Sequence, residues 1–113
     1  MEQIAATLGD SVGALACYLA ISPNAGNAPR LFAMHSTVGD TPTWRALEGA
    51  NLVRRAFHRR EALTVQAGGR PALALPIIHE EQAIGAALLL YHPSIPIDVK
   101  RATAAAQLAA KLG

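Results

Sequence analysis

The sequence holds a single cysteine, Cys17, in 113 residues. One thiol excludes a disulfide within the chain and a zinc site built from several thiolates. Scarce cysteine is also typical of proteins kept in a reducing compartment. The first residues, Met1-Glu-Gln, lack the basic start of a secretion signal. We therefore expect a cytoplasmic protein.

Charge, aromatic side chains and long apolar runs are scarce as well. Charged residues make up 16% of the chain, aromatic residues 4%, and the net charge is only +2. A surface for nucleic acid usually combines a basic excess with aromatic rings, so we expect no nucleic-acid partner. The longest apolar runs, Val12–Ile21 and Ala83–Tyr91, are shorter than the roughly 20 residues of a membrane-spanning helix, so we expect no membrane span.

Hydrophobic residues, by contrast, reach 51% of the chain, which predicts one folded domain over residues 1–113. The stretch Ala72–Tyr91 shows how these residues are arranged. It consists of two apolar runs on either side of a short polar turn, His79–Gln82. Runs of this length around such a turn predict two adjacent antiparallel strands, buried on at least one face.

The rest of the chain alternates in the same way between apolar segments and turns. Both faces of the segment Gly13–Ile21 are apolar, so we expect a central strand covered on both sides. Thr41-Pro42 is typical of a helix start. Besides the hairpin, the predicted elements are strands at Gly13–Ile21, Arg30–Ser36 and Ala62–Gln66, and helices at Glu2–Leu8, Pro42–Arg60 and Val99–Leu112.

These elements predict an α+β fold with a single antiparallel sheet of five to six strands. The first and last strands should be neighbours at its centre. The N- and C-terminal helices should lie together on one face of the sheet, and the middle helix on the other. Pro76 breaks a rule in this scheme, because it lies inside a strand and has no N–H for the ladder. It requires a bulge, or a neighbouring strand that does not use the missing donor.

The hairpin also carries a family resemblance. The segment Leu75–Leu90 has a strand with Pro-apolar, a polar turn, an apolar-Gly-apolar step at Gly85 and a run of aliphatic residues. A helix follows after Pro96, and Leu52–Val65 supplies a helix and a short strand upstream. This order is similar to the second half of GAF domains. The resemblance implies a sensory or regulatory module with its ligand pocket between the middle helix and the sheet.

Some features of GAF subfamilies are absent from the sequence. The interval Thr37–Glu61 leaves room for about one helix where many GAF domains carry a longer lid over the pocket. No Lys-Phe or Phe-Asp pair of the cyclic-nucleotide-binding signature occurs, and one cysteine cannot supply a disulfide-based reductase. Cys17 lies in the first predicted strand, away from the lid where a bilin would be attached. We expect no cofactor.

Candidate catalytic groups are few. The four histidines, His35, His58, His79 and His92, have no short metal-ligand spacing. The pair Glu80-Glu81 falls at the predicted hairpin tip, where charges favour solvation over a catalytic cleft. We expect neither a metal site nor an enzyme.

The middle helix offers the best candidate for a ligand-binding residue. On a helical wheel Arg54 falls within the apolar arc. Its guanidinium group either extends past its neighbours into solvent or points into the space between helix and sheet, where it would bind an anion. The apolar arc consists of Ala46, Leu47, Ala50, Val53, Ala56 and Phe57. The candidate ligand-binding residues are Arg54, Phe57 and Leu47.

The C-terminal helix is apolar around more of its circumference than one sheet can cover. Its only polar stripe consists of Lys100, Thr103, Gln107 and Lys111. Small alanines allow a second helix to approach closely, and paired terminal helices are also what the resemblance implies. We therefore expect a homodimer. The candidate interface residues are Ala105, Ala106, Ala109 and Leu112, with Ile4 and Leu8 of the first helix.

Two functions remain open. The first is a GAF-like regulatory module that dimerises and binds a small molecule or another signalling protein. The second is a Roadblock-like interaction scaffold without a small-molecule ligand, because Roadblock/dynein-light-chain domains share this order of elements. The hairpin with Pro76 and Gly85 favours the first, and the short lid favours the second. A cavity between the middle helix and the sheet would distinguish them.

Overall fold

The computed structural model describes residues 13–22, 29–36, 43, 48–67, 69–94 and 96–112. Within these ranges five strands and two helices follow one another. The strands are β1 (Ala16–Ile21), β2 (Arg30–Ser36), β3 (Leu63–Ala67), β4 (Arg70–His79) and β5 (Gln82–Leu90), and the helices are α1 (Gly49–Arg59) and α2 (Val99–Leu112). The predicted helix at Glu2–Leu8 lies outside the described residues.

The five strands form one sheet in the order β2-β1-β5-β4-β3, and every neighbouring pair is antiparallel. β5 is the central strand. It pairs with β1 from Ala16 opposite Leu90 to Ile21 opposite Gly85, and with β4 on its other side. The predicted antiparallel sheet, with its first and last strands adjacent at the centre, is confirmed.

Each face of the sheet carries its own hydrophobic core. Residues of β1 alternate between the two faces, with Cys17 and Leu19 on one and Ala16 and Tyr18 on the other. α2 packs on the Cys17 face and α1 on the Tyr18 face, so the two helices lie on opposite sides of the sheet. The buried helix residues at these interfaces are Ala102 and Ala106 in α2, and Val53, Ala56 and Phe57 in α1.

α1 is shorter than the sequence predicted. The pair Thr41-Pro42 predicted a start at Pro42, but the helix begins at Gly49. Glu48, immediately before it, has a φ of 55°, in the left-handed region that a right-handed helix cannot contain. One uninterrupted helix from Pro42 to Arg60 was therefore wrong, because the backbone leaves the helical conformation at Glu48; Pro42 itself lies outside the described residues.

The end of α1 agrees with the prediction to within one residue. Arg60 has a φ of 57° and ends the helix, and its N–H donates to the carbonyl oxygen of Ala56. The N–H of Glu61 donates to the same oxygen at 3.3 Å. His58 and Arg59 occupy the last turn, where a cationic side chain interacts favourably with the helix dipole. Basic side chains therefore accumulate where α1 leads into β3.

The strand bounds differ from the predicted ones only at their ends. β1 starts at Ala16, and the predicted start at Gly13 was wrong because Gly13 has a φ of 70° and leaves the extended conformation. α2 starts at Val99, as predicted. Its first turn is capped by Asp98, whose Oδ1 accepts a hydrogen bond from the N–H of Arg101 at 3.1 Å.

Pro76 lies in β4 opposite Ala86 of β5. Residues of β4 point their backbone groups alternately towards β5 and towards β3. Pro71 points towards β5, because its carbonyl oxygen accepts the N–H of Tyr91 at 2.9 Å. Pro76 lies an odd number of residues after Pro71, so its backbone groups point towards β3. The ladder between β3 and β4 has already ended at Ala74, and no described strand residue lies opposite Pro76 on that side. The missing N–H costs the sheet no hydrogen bond, which is one of the two predicted solutions.

The β4–β5 hairpin is tight. Its two turn residues, Glu80 and Glu81, have φ values of 51° and 65°, as in a type I′ turn. The pairing shifts between Ile77 and Ile78, so that Ile84 has no partner in β4. The hairpin predicted from Ala72–Tyr91 is thus present, with a bulge close to Pro76.

Candidate functional site

An open groove of about 550 Å³ lies between α1 and β3, the edge strand of the sheet. Its volume is within the range of about 300–1,000 Å³ that is usual for ligand sites. The α1 residues in its lining are Asn51, Leu52, Arg54, Arg55, His58 and Arg59, and the β3 residues are Leu63, Thr64 and Val65. The groove is therefore formed by one side of α1 and by the edge strand β3.

The amphipathic pattern of α1 places its basic side chains along this groove. Val53, Ala56 and Phe57 are buried against the sheet, and the side chains between them point away from the core. Arg55 and Arg59 follow Leu52 by about one and two helical turns, so the three share one line along the helix. Leu52 is half-buried against the core on this face, and this line therefore runs beside the sheet.

The groove has an apolar floor and a basic rim. Leu52, Leu63 and Val65 are half-buried and pack against the core on the α1 face. All four basic side chains of the lining (Arg54, Arg55, His58 and Arg59) are exposed. Among the described residues no carboxylate lines the groove, and none of these basic side chains has an ion-pair partner there. This arrangement suits a ligand that is both anionic and apolar.

The residues directly beneath α1 are buried. On this face the sheet presents mostly small side chains, which let the helix pack closely on the strands. Phe57 is 6% exposed and lies in the same core as Tyr18 and Leu88. The sheet alanines in this core are Ala16, Ala67, Ala72, Ala74 and Ala86. The groove lies at the outer edge of the helix–sheet interface, and Phe57 is not in its lining.

The predicted ligand-binding residues therefore do not form one site. Arg54 is exposed and lines the groove, which matches the interpretation in which its side chain extends into solvent. Phe57 belongs to the core, and Leu47 lies outside the described residues. Arg55, His58 and Arg59 also line the groove and were not among the predicted residues, because a helical wheel places Arg55 and Arg59 opposite the apolar arc. The run of basic residues just before the predicted strand Ala62–Gln66 was the available signal.

The predicted interface residues also differ in their exposure. Ala106 is 1% exposed and packs against the sheet together with Ala102. Ala105 is half-buried and Ala104, beside it, is exposed. Of the remaining candidates, Ile4 and Leu8 lie outside the described residues, and the side chains of Ala109 and Leu112 are outside the description as well.

Two ionisable groups are buried in the core beneath α2. Cys17 is fully buried, and burial raises the pKa of its thiol from the ordinary 9.0 to about 12. Burial likewise raises the pKa of Tyr91 to about 12, with smaller contributions from Cys17 and Asp98, while Arg101 lowers it. Within the described ranges the hydroxyl of Tyr91 has no hydrogen-bond partner. A neutral, buried thiol is a poor nucleophile.

In the ranges that the structure describes, no three His, Cys, Asp or Glu side chains come together as metal ligands. Neither of the two described helices has the length and apolar content needed to cross a bilayer.

Comparison with known proteins gives one consistent result. No protein-family model matches the sequence, and no curated protein matches it. Solved structures do match over nearly the whole chain. One is the second GAF domain of DevS from Mycobacterium smegmatis, with a TM-score of 0.69 and 16% identity, covering 98% of this chain and 88% of that one.

Two further structures are similar. The GAF domain of a phosphoenolpyruvate-protein phosphotransferase from Acinetobacter has a TM-score of 0.66 and 10% identity, with 96% of this chain and 76% of that chain covered. A GAF domain/HD domain protein from Geobacter sulfurreducens has a TM-score of 0.61 and 16% identity, with 97% and 87% covered. Identities this low establish the fold alone. The resemblance seen in the hairpin is confirmed at that level: the chain has the fold of GAF domains.

Proposed function

We propose that the chain is a regulatory or sensory module of a signalling protein, folded as a single domain over residues 1–113. The observation that carries this proposal is the GAF fold, which it shares with domains of DevS and of a phosphotransferase. GAF domains generally bind or relay a signal and do not catalyse a reaction, and the only described thiol is buried. We also propose a cytoplasmic location, which the scarcity of cysteine supports. The Roadblock-like alternative is not favoured by these likenesses.

The groove between α1 and β3 is the proposed binding site. Of the predicted ligand-binding residues that the structure describes, Arg54 lies in its lining and Phe57 does not. A ligand that binds only the folded state raises the melting temperature. We therefore expect at least one member of a panel of nucleotides, inorganic phosphate, amino acids and oxo-acids, or a protein partner, to stabilise the domain.

The test is a thermal-shift screen with this panel, repeated on Arg54→Ala. That variant should keep the melting temperature of the free protein and lose the rise caused by the ligand. Arg30→Ala, which removes an exposed cation from the opposite edge of the sheet, is the matched control and should keep it. If no small molecule and no partner stabilises the wild type, the proposed binding role is wrong.

We also propose that the module pairs with a second copy through α2. Ala104 and Val99 remain exposed on this helix, and Ala105 is half-buried. Alanines allow a second helix to pack closely. Sedimentation at tens of micromolar, where a moderate dimer persists, should give a dimer, and Ala104→Asp should reduce it to a folded monomer with an unchanged circular dichroism spectrum. A wild-type monomer at this concentration would contradict the pairing.

A further inference from the structure

We propose that the groove between α1 and β3 binds an extended acidic segment of a partner protein, which adds to the sheet as a strand beside β3. The inference rests on the proposed regulatory function and names the kind of partner that its site takes. Three features lead to it: the free edge of β3, the apolar floor of the groove and its basic rim.

Among the strands that the structure describes, none lies beside the outer edge of β3. Its partners in β4 are Ala74 for Leu63 and Ala72 for Val65. Ala72 and Ala74 point their backbone groups towards β3, by the alternation that the Tyr91–Pro71 hydrogen bond establishes. The backbone N–H and C=O groups of Leu63 and Val65 are therefore used by β4.

The backbone N–H and C=O groups of Thr64 and Gln66 point the other way, towards the outside of the sheet. Both residues are exposed, and in the described part of the chain no backbone group pairs with them on that side. Edge strands are commonly protected by proline, by a charge on the strand or by a bulge. β3 reads Leu-Thr-Val-Gln-Ala and has none of these. A regular, uncharged edge of this kind can accept an added strand.

The side chains around this edge specify what kind of strand fits. A strand laid beside β3 presents alternate side chains to the α1 side of the sheet. There they meet the half-buried Leu63 and Val65 and the guanidinium groups of Arg55 and Arg59, which line the same groove. Carboxylates pair well with guanidinium groups, and aliphatic side chains cover the floor. The favoured occupant alternates acidic and aliphatic residues on that side.

The acidic residue nearest in the chain does not neutralise this rim. Glu61 is exposed just beyond the end of α1 and is not in the lining of the groove. The rim cations therefore keep their charge for a partner. A basic partner would meet repulsion, and an acidic one would be attracted over a distance of about 10 Å at roughly 0.1 M salt.

The first experiment measures binding of a labelled peptide, Glu-Thr-Val-Thr-Glu-Thr-Val-Thr, by fluorescence anisotropy. Its Glu and Val side chains fall on one side of an extended strand. The wild-type domain should bind it, and should bind the peptide with Lys in place of Glu at least about tenfold more weakly. Arg55→Glu/Arg59→Glu should lose about tenfold in affinity. Arg30→Glu/Lys100→Glu, with the same change of net charge on exposed residues elsewhere, should retain it.

The second experiment separates strand addition from simple charge attraction. Two versions of the peptide carry N-methyl groups on alternate amides, one on the Glu and Val residues and one on the Thr residues. Only one of these sets can face β3, so one version should lose binding and the other should keep it. Equal binding of both versions would overturn the proposal, as would a wild-type domain that binds no peptide at about millimolar concentration.

Proline variants give the same test from the protein side. Thr64→Pro and Gln66→Pro each remove an N–H that points away from β4, so the β3–β4 ladder is kept. Each should weaken peptide binding about tenfold without a large fall in melting temperature, whereas Thr64→Val should bind normally. If phosphate or a nucleotide binds the groove and the peptide does not, this inference fails while the proposed regulatory function stands.

Discussion

Gly85 in β5 lies directly against the backbone of Ala20 in β1. A Cβ atom on Gly85 would overlap the carbonyl oxygen of Ala20 and would lie 3.1 Å from the Cα of Ile21. Both partners belong to the main chain of a paired strand and cannot rotate away. Glycine is therefore required here for the close approach of two strands, which explains the apolar-Gly-apolar step of the sequence.

The first prediction is that Gly85→Ala destabilises the domain by about 3 kcal/mol, because one of the two central strands has to move. Chemical denaturation measures the change. Gly69→Ala is the matched control, since a Cβ there meets nothing within 4 Å and only the φ of 76° is unfavourable. It should cost about 1 kcal/mol. Equal effects at the two sites would contradict the steric explanation.

The second prediction concerns the β4–β5 turn. Glu80 and Glu81 both have positive φ values, a conformation that Asn and Gly adopt at lower cost. Glu80→Asn/Glu81→Gly should therefore stabilise the domain by about 1 kcal/mol. The exposed contact between Glu80 and His79, at 3.9 Å, contributes little and does not offset this gain. A higher melting temperature is the expected result, and a lower one would exclude a strained turn.

Particular residues show how far the sequence predicts this structure. The apolar residues on both faces of β1 and the apolar runs around Glu80-Glu81 were enough to predict the sheet and its central pair, because a strand that is apolar on both faces must be covered on both sides. The start of α1 was missed because a cap-like Thr-Pro pair says nothing about the left-handed backbone of Glu48.

The candidate site could be predicted only in part. A helical wheel places Arg54 relative to its own helix, but the groove also depends on where β3 runs beside that helix. The pairing of Leu63 with Ala74 determines this position, and it is a long-range property that local patterns do not contain. The close packing of α1 on the alanines of the sheet likewise depends on contacts between residues that are far apart in the sequence.

The third prediction is a loss of stability at alkaline pH that depends on Cys17. The native state raises the pKa of this thiol from 9.0 to about 12, so between these values the unfolded chain releases a proton that the native protein keeps. Fewer protons bound in the unfolded state mean that the free energy of unfolding falls as pH rises from 9 towards 12. Below pH 9 the thiol has no effect on the pH dependence.

Denaturation of the reduced protein at several pH values measures this slope. Cys17→Ala should be less stable at neutral pH because it leaves a small cavity, and its stability should fall less steeply above pH 9. Parallel pH profiles of the two proteins would show that the thiol is not protonated preferentially in the native state.

The fourth prediction concerns α2. Ala106→Asp places a carboxylate in the core against β4 and should unfold the domain or destabilise it by about 3 kcal/mol or more. Ala104→Asp, two positions earlier on the exposed side of the same helix, should leave the monomer fold unchanged. Circular dichroism on heating compares the two. Similar melting temperatures would mean that Ala106 does not face the sheet.

The pairing of β1 with β5 has a consequence for how the chain folds. β1 is made early and β5 late, yet they are neighbours at the centre of the sheet. During synthesis β1 and β2 can form a hairpin, but the inner edge of β1 has no partner until β5 has left the ribosome. Contacts of such long sequence separation slow folding. A nascent chain that ends before Gln82 should therefore present an apolar, unpaired edge to chaperones.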